Sequence, residues 1–152
     1  MLGLPVNGGC QCGECRFVVA DEPFVAYTCH CGACQKLTAS AFLTCMHVAI
    51  EHVAITSGTP SALVRKTDSG NLLTTQFCSK CGSTLIANNT ARPHITTVHV
   101  GALDEPAKIP VTAHIWVKRK LPWVPLPDGA RIYDEAGDRA QDYERDPIRL
   151  GI

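Results

Sequence analysis

Apolar positions along this chain come in short runs, and no window holds the helical i, i+3, i+4, i+7 spacing through three turns. Segments 16–20, 25–28, 42–50, 53–56, 62–64, 72–77, 84–87, 95–100 and 113–117 are rich in β-branched and aromatic residues, and each is predicted as a strand. Turn signals separate them: Gly8-Gly9, Asp21-Glu22-Pro23, Ser57-Gly58-Thr59-Pro60 and Asp68-Ser69-Gly70-Asn71. One short helix is expected after Cys34, through Gln35, Lys36 and Leu37. Short strands at this spacing predict an all-β sandwich or a folded-over sheet. After Leu121, Pro122, Pro125, Pro127 and Pro147 lie among many charges, so this stretch is expected to wrap the surface as extended chain and turns. Nothing reads as a linker, and residues 1–152 are expected to form a single domain.

Charge removes several function classes. The 152 residues carry 14 basic and 14 acidic side chains, a formal net charge of zero. A nucleic-acid binder shows a basic excess or stripe; here the only basic cluster, Lys118-Arg119-Lys120, reads as a solvated strand edge, and no nucleic-acid partner is expected. The longest uncharged stretch, Leu37 to Ile50, is diluted by Thr, Ser, Cys and His, so no membrane span is expected. Residues 1–10 hold neither a positive charge nor an apolar run of leader length, which predicts a cytoplasmic protein. Thiols stay reduced there, so the nine cysteines need an explanation other than disulfides.

The cysteines fall into patterns. Cys10-x-Cys12-x-x-Cys15 and Cys29-x-Cys31-x-x-Cys34 share one spacing, and Cys78-x-x-Cys81 precedes Gly82. Zinc takes soft ligands tetrahedrally, and Cys-x-x-Cys delivers two sulfurs from one tight turn. Gly82 permits the left-handed backbone that closes such a turn. In a Cys-x-Cys, residues i and i+2 of an extended segment project to one face ~6–7 Å apart, and a modest bend brings both sulfurs to one ion. One pair of each kind makes a closed four-thiolate site, which is structural. Spacing does not say which clusters pair: with Cys15 counted, eight cysteines can also build two four-thiolate sites. The isolated Cys45 reads as a small core residue. Iron–sulfur ligation fits poorly, because the spacing departs from the ferredoxin runs.

Taken in order, Gly8-Gly9-Cys10-Gln11-Cys12-Gly13-Glu14-Cys15-Arg16-Phe17, Cys29-His30-Cys31-Gly32-Ala33-Cys34-Gln35-Lys36 and Phe77-Cys78-Ser79-Lys80-Cys81-Gly82-Ser83 resemble the glutathione-dependent formaldehyde-activating enzyme family, also called the centromere protein V family. His114-Ile115-Trp116-Val117 and Leu121-Pro122-Trp123 resemble its closing segment, and the likeness runs from about Val6 to Asp128. The resemblance implies a zinc-tied, mostly antiparallel sheet folded like a tent (a β-tent). It also implies the pairing: Cys10, Cys12, Cys78 and Cys81 hold a structural zinc, while Cys29, Cys31 and Cys34 hold a second, catalytic one, whose open site leads us to expect it to be labile. Cys15 departs from the family pattern, which carries an apolar residue there, and is expected to be a buried thiol.

Three thiolates leave one position of a tetrahedral ion open, the mark of a reactive site. They also leave the centre at a net charge of −1, a weak Lewis acid that remains thiophilic. That suits a thiol substrate, deprotonated on binding. The resemblance implies that substrate is glutathione and its partner formaldehyde, joined to S-hydroxymethylglutathione in a carbon–sulfur lyase-class reaction. A group must then protonate the new oxygen. His30 is a candidate acid/base, although neighbours in an extended segment point oppositely. Lys36 reads as a surface lysine, and His94, His99 and His114 as packed or rim histidines. Arg65, Lys66 and Arg92 are the cations that can meet a peptide carboxylate, with solvated surface as the plainer reading. Trp116, Trp123 and Tyr133 line either a pocket or the core. Two other functions fit the same residues: a non-catalytic zinc-stabilised module that binds a protein partner, and a zinc/thiol redox protein in which Cys31 and Cys34 cycle between zinc-bound and disulfide states.

Overall fold

Runs of β-branched and aromatic residues form short strands spread along residues 2–135, the part of the chain described by this computed structural model. The strands are β1 (Val6–Gly9), β2 (Arg16–Val19), β3 (Val25–Cys29), β4 (Leu43–Ala49), β5 (Val53–Ser57), β6 (Ser61–Lys66), β7 (Leu72–Phe77), β8 (Thr84–Asn89), β9 (Ile95–His99), β10 (Ala113–Ile115) and β11 (Arg131–Ile132). The single α-helix among the described residues is α1 (Gly32–Thr38). A three-stranded sheet has the order β1-β2-β5, and an eight-stranded sheet the order β11-β10-β3-β4-β9-β8-β7-β6. Pairing is antiparallel except that β10 runs parallel to both β3 and β11. The fold is thus all-β and mostly antiparallel, with one short helix.

Three details differ from the sequence expectation. Gly8-Gly9 is strand, not turn: Gly8 pairs with Phe17, and a Cβ on Gly8 would lie 2.4 Å from the Phe17 ring. Gly8 therefore serves close approach of backbone to an aromatic, and Gly9 close approach to the Cys15 carbonyl. α1 begins before Cys34, because Cys31 caps it by accepting the Cys34 N–H on its sulfur. β10 stops short of residue 117, where Trp116 takes a left-handed conformation at φ 59°. In the stretch after Leu121, turns lead to β11, which extends the sheet edge; Pro147 and the other positions past 135 lie outside the described residues.

Strand alternation divides the larger sheet into two buried faces. On one, Ala26, Met46, Val98 and Ile86 stand in register across β3, β4, β9 and β8. Phe17 and Val19 of the smaller sheet pack into this core, both fully buried, each stabilising by about 1.5–3 kcal/mol. On the other face, Tyr27, Cys45 and His99 stand in register, and Tyr27, Cys29 and Cys45 cluster with Ala113 and Ile115. Cys29 thus faces away from the inter-sheet core. No helix among the described residues is long and apolar enough to cross a membrane.

Candidate metal centres

Two strand-joining turns bring the first cysteine group together. Cys10 and Cys12 sit in the turn between β1 and β2, and Cys78 and Cys81 in the turn between β7 and β8; all four sulfurs lie within 4.8 Å of one another. Cys10 Sγ is 3.5 Å from Cys12 Sγ, which is 3.7 Å from Cys78 Sγ. Sulfurs at ~2.3 Å from a tetrahedral zinc stand roughly 3.8 Å apart, so these residues fit zinc without rearrangement. The turns share a backbone pattern. Cys10 N–H donates to Cys15 O (3.0 Å) and Gly13 N–H to Cys10 O (3.1 Å); Cys78 N–H donates to Ser83 O (2.9 Å) and Gly82 N–H to Cys78 O (2.8 Å). Gly13 and Gly82 supply the left-handed residue of each, at φ +80° and +79°.

Donors aimed at the sulfurs favour thiolates. The Cys15 N–H lies 3.2 Å from Cys10 Sγ and, as the largest effect, lowers the Cys10 pKa. Ser83 Oγ stands 3.3 Å from Cys81 Sγ; its hydroxyl first, and then its backbone N–H, bring Cys81 down to about 5. Cys15 is buried, as expected of it, and stands outside the group of four.

The second group is built on one corner. Cys29 ends β3, Cys31 caps α1 and Cys34 lies in its first turn, and these sulfurs also approach within 4.8 Å of one another. Cys31 is driven down to about 2, chiefly by the Cys29 thiol and then by Cys34, and the same contact with Cys31 holds Cys29 up. A soft trio at this separation fits zinc, and no fourth Cys, His, Asp or Glu among the described residues joins the group.

Several contacts fasten this corner. Gln35 Nε2 donates to His30 O (2.8 Å) and to Arg119 O (3.0 Å). His30 N–H donates to Ile115 O (3.0 Å), and Thr38 Oγ1 to Cys34 O (2.9 Å). The His30 side chain is fully buried; its Nε2 meets His114 Nδ1 at 2.9 Å, and its ring stacks on that of His114 and meets Phe42 edge-on. Burial first, then the neighbouring His114 and Lys120, push the His30 pKa down to about 4. His30 and His114 belong with Thr28, on the face opposite Cys29.

The remaining sequence candidates scatter. Lys36, Arg65 and Lys66 are exposed, Arg92 is half-buried, and His94 is exposed. His99 is buried with Nδ1 2.9 Å from Thr84 Oγ1, and Cys45 is buried beside Cys29. Trp116 and Tyr133 pack partly buried against the Cys29 cluster, whereas Trp123 is 73% exposed. Sequence reasoning overlooked Tyr27, which shares the Cys29 face and whose Oη lies 2.9 Å from His47 Nε2; period-two counting back from Cys29 would have found it. Gln35 and Ser83 carry no sequence signal for the carbonyls and sulfur they bind.

An open cleft of ≈ 820 Å³ is lined by Cys10 and Ser83 of the first group and by Leu37, Phe42 and Leu43, but by none of Cys29, Cys31 and Cys34. His99 also lines it, on the face that carries Cys29, and Leu43 pairs directly with Cys29.

Residues 5–119 match the profile of the family described as glutathione-dependent formaldehyde-activating enzyme. A search of curated proteins finds no match. Among solved structures, a crystal structure of a Rhodobacter sphaeroides protein from structural genomics is similar, with 16% identity, a TM-score of 0.49, and coverage of 84% of this chain and 98% of that one.

Proposed function

The chain belongs to the glutathione-dependent formaldehyde-activating enzyme family, and from that premise we propose that it is a carbon–sulfur lyase joining a small thiol to a small aldehyde at Cys29, Cys31 and Cys34. Glutathione and formaldehyde are the pair that the family name suggests. One observation carries the reading: beside a four-thiol group that could enclose a metal, the chain holds a three-thiol group that no fourth ligand joins among the described residues. Bound there, zinc would supply a thiophilic centre that takes a substrate thiol in its anionic form.

The chain's own residues do the rest. Gln35 and the α1 cap hold the three sulfurs convergent before substrate arrives, so no ordering cost falls on binding. The cleft beside Leu43 receives the body of the thiol and the aldehyde. As the new carbon–sulfur bond forms, the carbonyl oxygen gains charge and needs a hydrogen-bond donor. Tyr27 shares the buried cluster of Cys29, against which Cys31 and Cys34 pack, and is braced by His47, whereas the His30 ring bonds His114 on the opposite face. These placements support Tyr27 as that donor and a fastening role for His30.

The test is the rate of S-hydroxymethylglutathione formation from ¹³C-formaldehyde, followed by exchange NMR against the uncatalysed background. The zinc-loaded protein is expected to raise the rate, and Cys31→Ser to return it to background while the fold is kept. A zinc-loaded protein that accelerates adduct formation with neither glutathione nor any other small thiol would overturn the reading and favour a binding module.

A further inference from the structure

Two segments leave the sheet side by side at the three-thiol corner. β10 pairs parallel with β3, and Ile115 stands opposite Cys29. The segment after Ile115 therefore emerges beside the one that carries Cys31 and Cys34. Gln35 Nε2 ties the two together by donating to Arg119 O at 3.0 Å. This second segment, Trp116-Val117-Lys118-Arg119-Lys120, holds the basic cluster that reads in the sequence as a solvated strand edge. The fold sets it against the reactive corner instead.

Trp116 is held there at some cost. It packs, partly buried, against the cluster of Cys29. Its backbone is left-handed at φ 59° and ψ 35°, a conformation that bulky residues rarely adopt and that persists where the surroundings impose it, often at ligand sites. Here the Val117 N–H donates to Tyr133 O (3.2 Å) and the Arg119 N–H to Trp116 O (2.9 Å). The turn so fixed carries Lys118 over the indole, with Nζ 5.3 Å from the ring centroid. One indole thus meets both the Cys29 cluster and an ammonium. Lys118 pairs with Glu135, and because their side chains are 41% and 53% exposed, the pair opens at little cost.

We propose that Lys118 is the carboxylate-recognising residue of the three-thiol centre, and that the thiol substrate is an acid whose carboxylate replaces that of Glu135 on the Lys118 ammonium. The exchange swaps one carboxylate for another and leaves the charge around Lys118 unchanged. Other cations are poorly placed for this task. In the cleft, the charged lining residues Arg16 and Asp104 pair with each other. Arg65 and Lys66 lie on β6, at an edge of the larger sheet with four strands between it and β3. The proposal rests on the reading of Cys29, Cys31 and Cys34 as a centre that takes a thiol, and adds which thiol it takes.

The full chain, loaded with cobalt in both centres, is titrated with mercaptohexanoate and with its neutral amide. Uptake is read from the absorption change that Cys31→Ser abolishes. The native chain should bind the acid about fivefold more tightly than the amide, with the margin closing as salt is raised. Lys118→Met should make the two equal by weakening the acid, and Lys118→Arg should retain the margin. Glu135→Gln should tighten binding of the acid, because it frees the ammonium; loss of a merely structural ion pair would not. Equal binding of acid and amide by the native chain, a margin that survives Lys118→Met, or no gain in Glu135→Gln overturns the proposal while the thiol-taking centre stands. Uptake of neither thiol overturns both.

Discussion

His99 stands in register with Cys45 on the larger sheet, buried, with one nitrogen against Thr84. Burial lowers its pKa to about 4, while an unfolded histidine titrates near 6.5. The sign follows directly. Between about pH 6.5 and 4 the unfolded chain binds a proton that the folded chain refuses, so stability falls as pH drops through that window, by up to about 1.4 kcal/mol per pH unit. His47, brought down to about 3 by burial and then by Arg92, adds to the same slope. His99→Gln can still meet Thr84 but does not titrate. Urea unfolding of both chains at about pH 7 and about pH 5.5, zinc in excess, should show the variant losing about 1 kcal/mol less than the parent. Equal losses would mean that His99 takes up its proton without unfolding the chain.

The corner from the end of β3 through α1 shows how one element is held in shape for its chemistry. With seven residues, α1 is too short to be stable alone. Gln35 ties it to the end of β3 and to the distant turn after β10 by donating to the carbonyls of His30 and Arg119. Gln35→Leu removes both donations at similar volume. It should weaken cobalt binding at the three-cysteine centre about 10- to 100-fold, as loss of support behind metal ligands does, and leave the four-cysteine centre unchanged. Cobalt titrations followed by the thiolate charge-transfer bands separate the two, and parallel weakening of both centres would point to general unfolding instead. This corner also marks how far local pattern reaches. The strands from β2 to β10 and the one helix were legible, since β-branched runs between turn signals report local preference. β1 was not, because the contact that makes Gly8-Gly9 a strand is with Phe17 across the sheet. β11 was not, because two residues, Arg131 and Ile132, carry no period, and the parallel pairing of β10 with β3 joins segments far apart in sequence. At the site, cysteine spacing proposed metal ligands and the family resemblance their pairing, but the convergence of Cys12 with Cys78, 66 residues apart, and the placement of Gln35 are properties of the assembled chain.

That convergence governs the molecule as a whole. Cys10 and Cys12 belong to the three-stranded sheet, while Cys78 and Cys81 belong to the eight-stranded one. Beyond the packing of Phe17 and Val19, the other ties of the small sheet are modest. They include the Arg16–Asp104 and Lys80–Glu14 ion pairs, the Gln11 N–H on Ser83 Oγ, a bridge from Gly8 to Leu103 and the Asp104 N–H on Asn7 O. A half-exposed ion pair contributes under about 1 kcal/mol. A metal closing the 66-residue span between Cys12 and Cys78 restricts the unfolded chain much as a disulfide would, worth roughly 4 kcal/mol on a chain-entropy estimate. The two centres should therefore differ in what their loss does. Cys78→Ser, or chelation strong enough to empty the four-cysteine centre, should loosen the smaller sheet first, so that amide exchange rises in β1, β2 and β5 before β3, β4 and β9. Cys31→Ser should raise exchange only from Cys29 to Thr38. Hydrogen-exchange mass spectrometry on the two variants distinguishes these patterns. Uniform acceleration along the Cys78→Ser chain would show a single cooperative unit in which the metal acts on global stability alone.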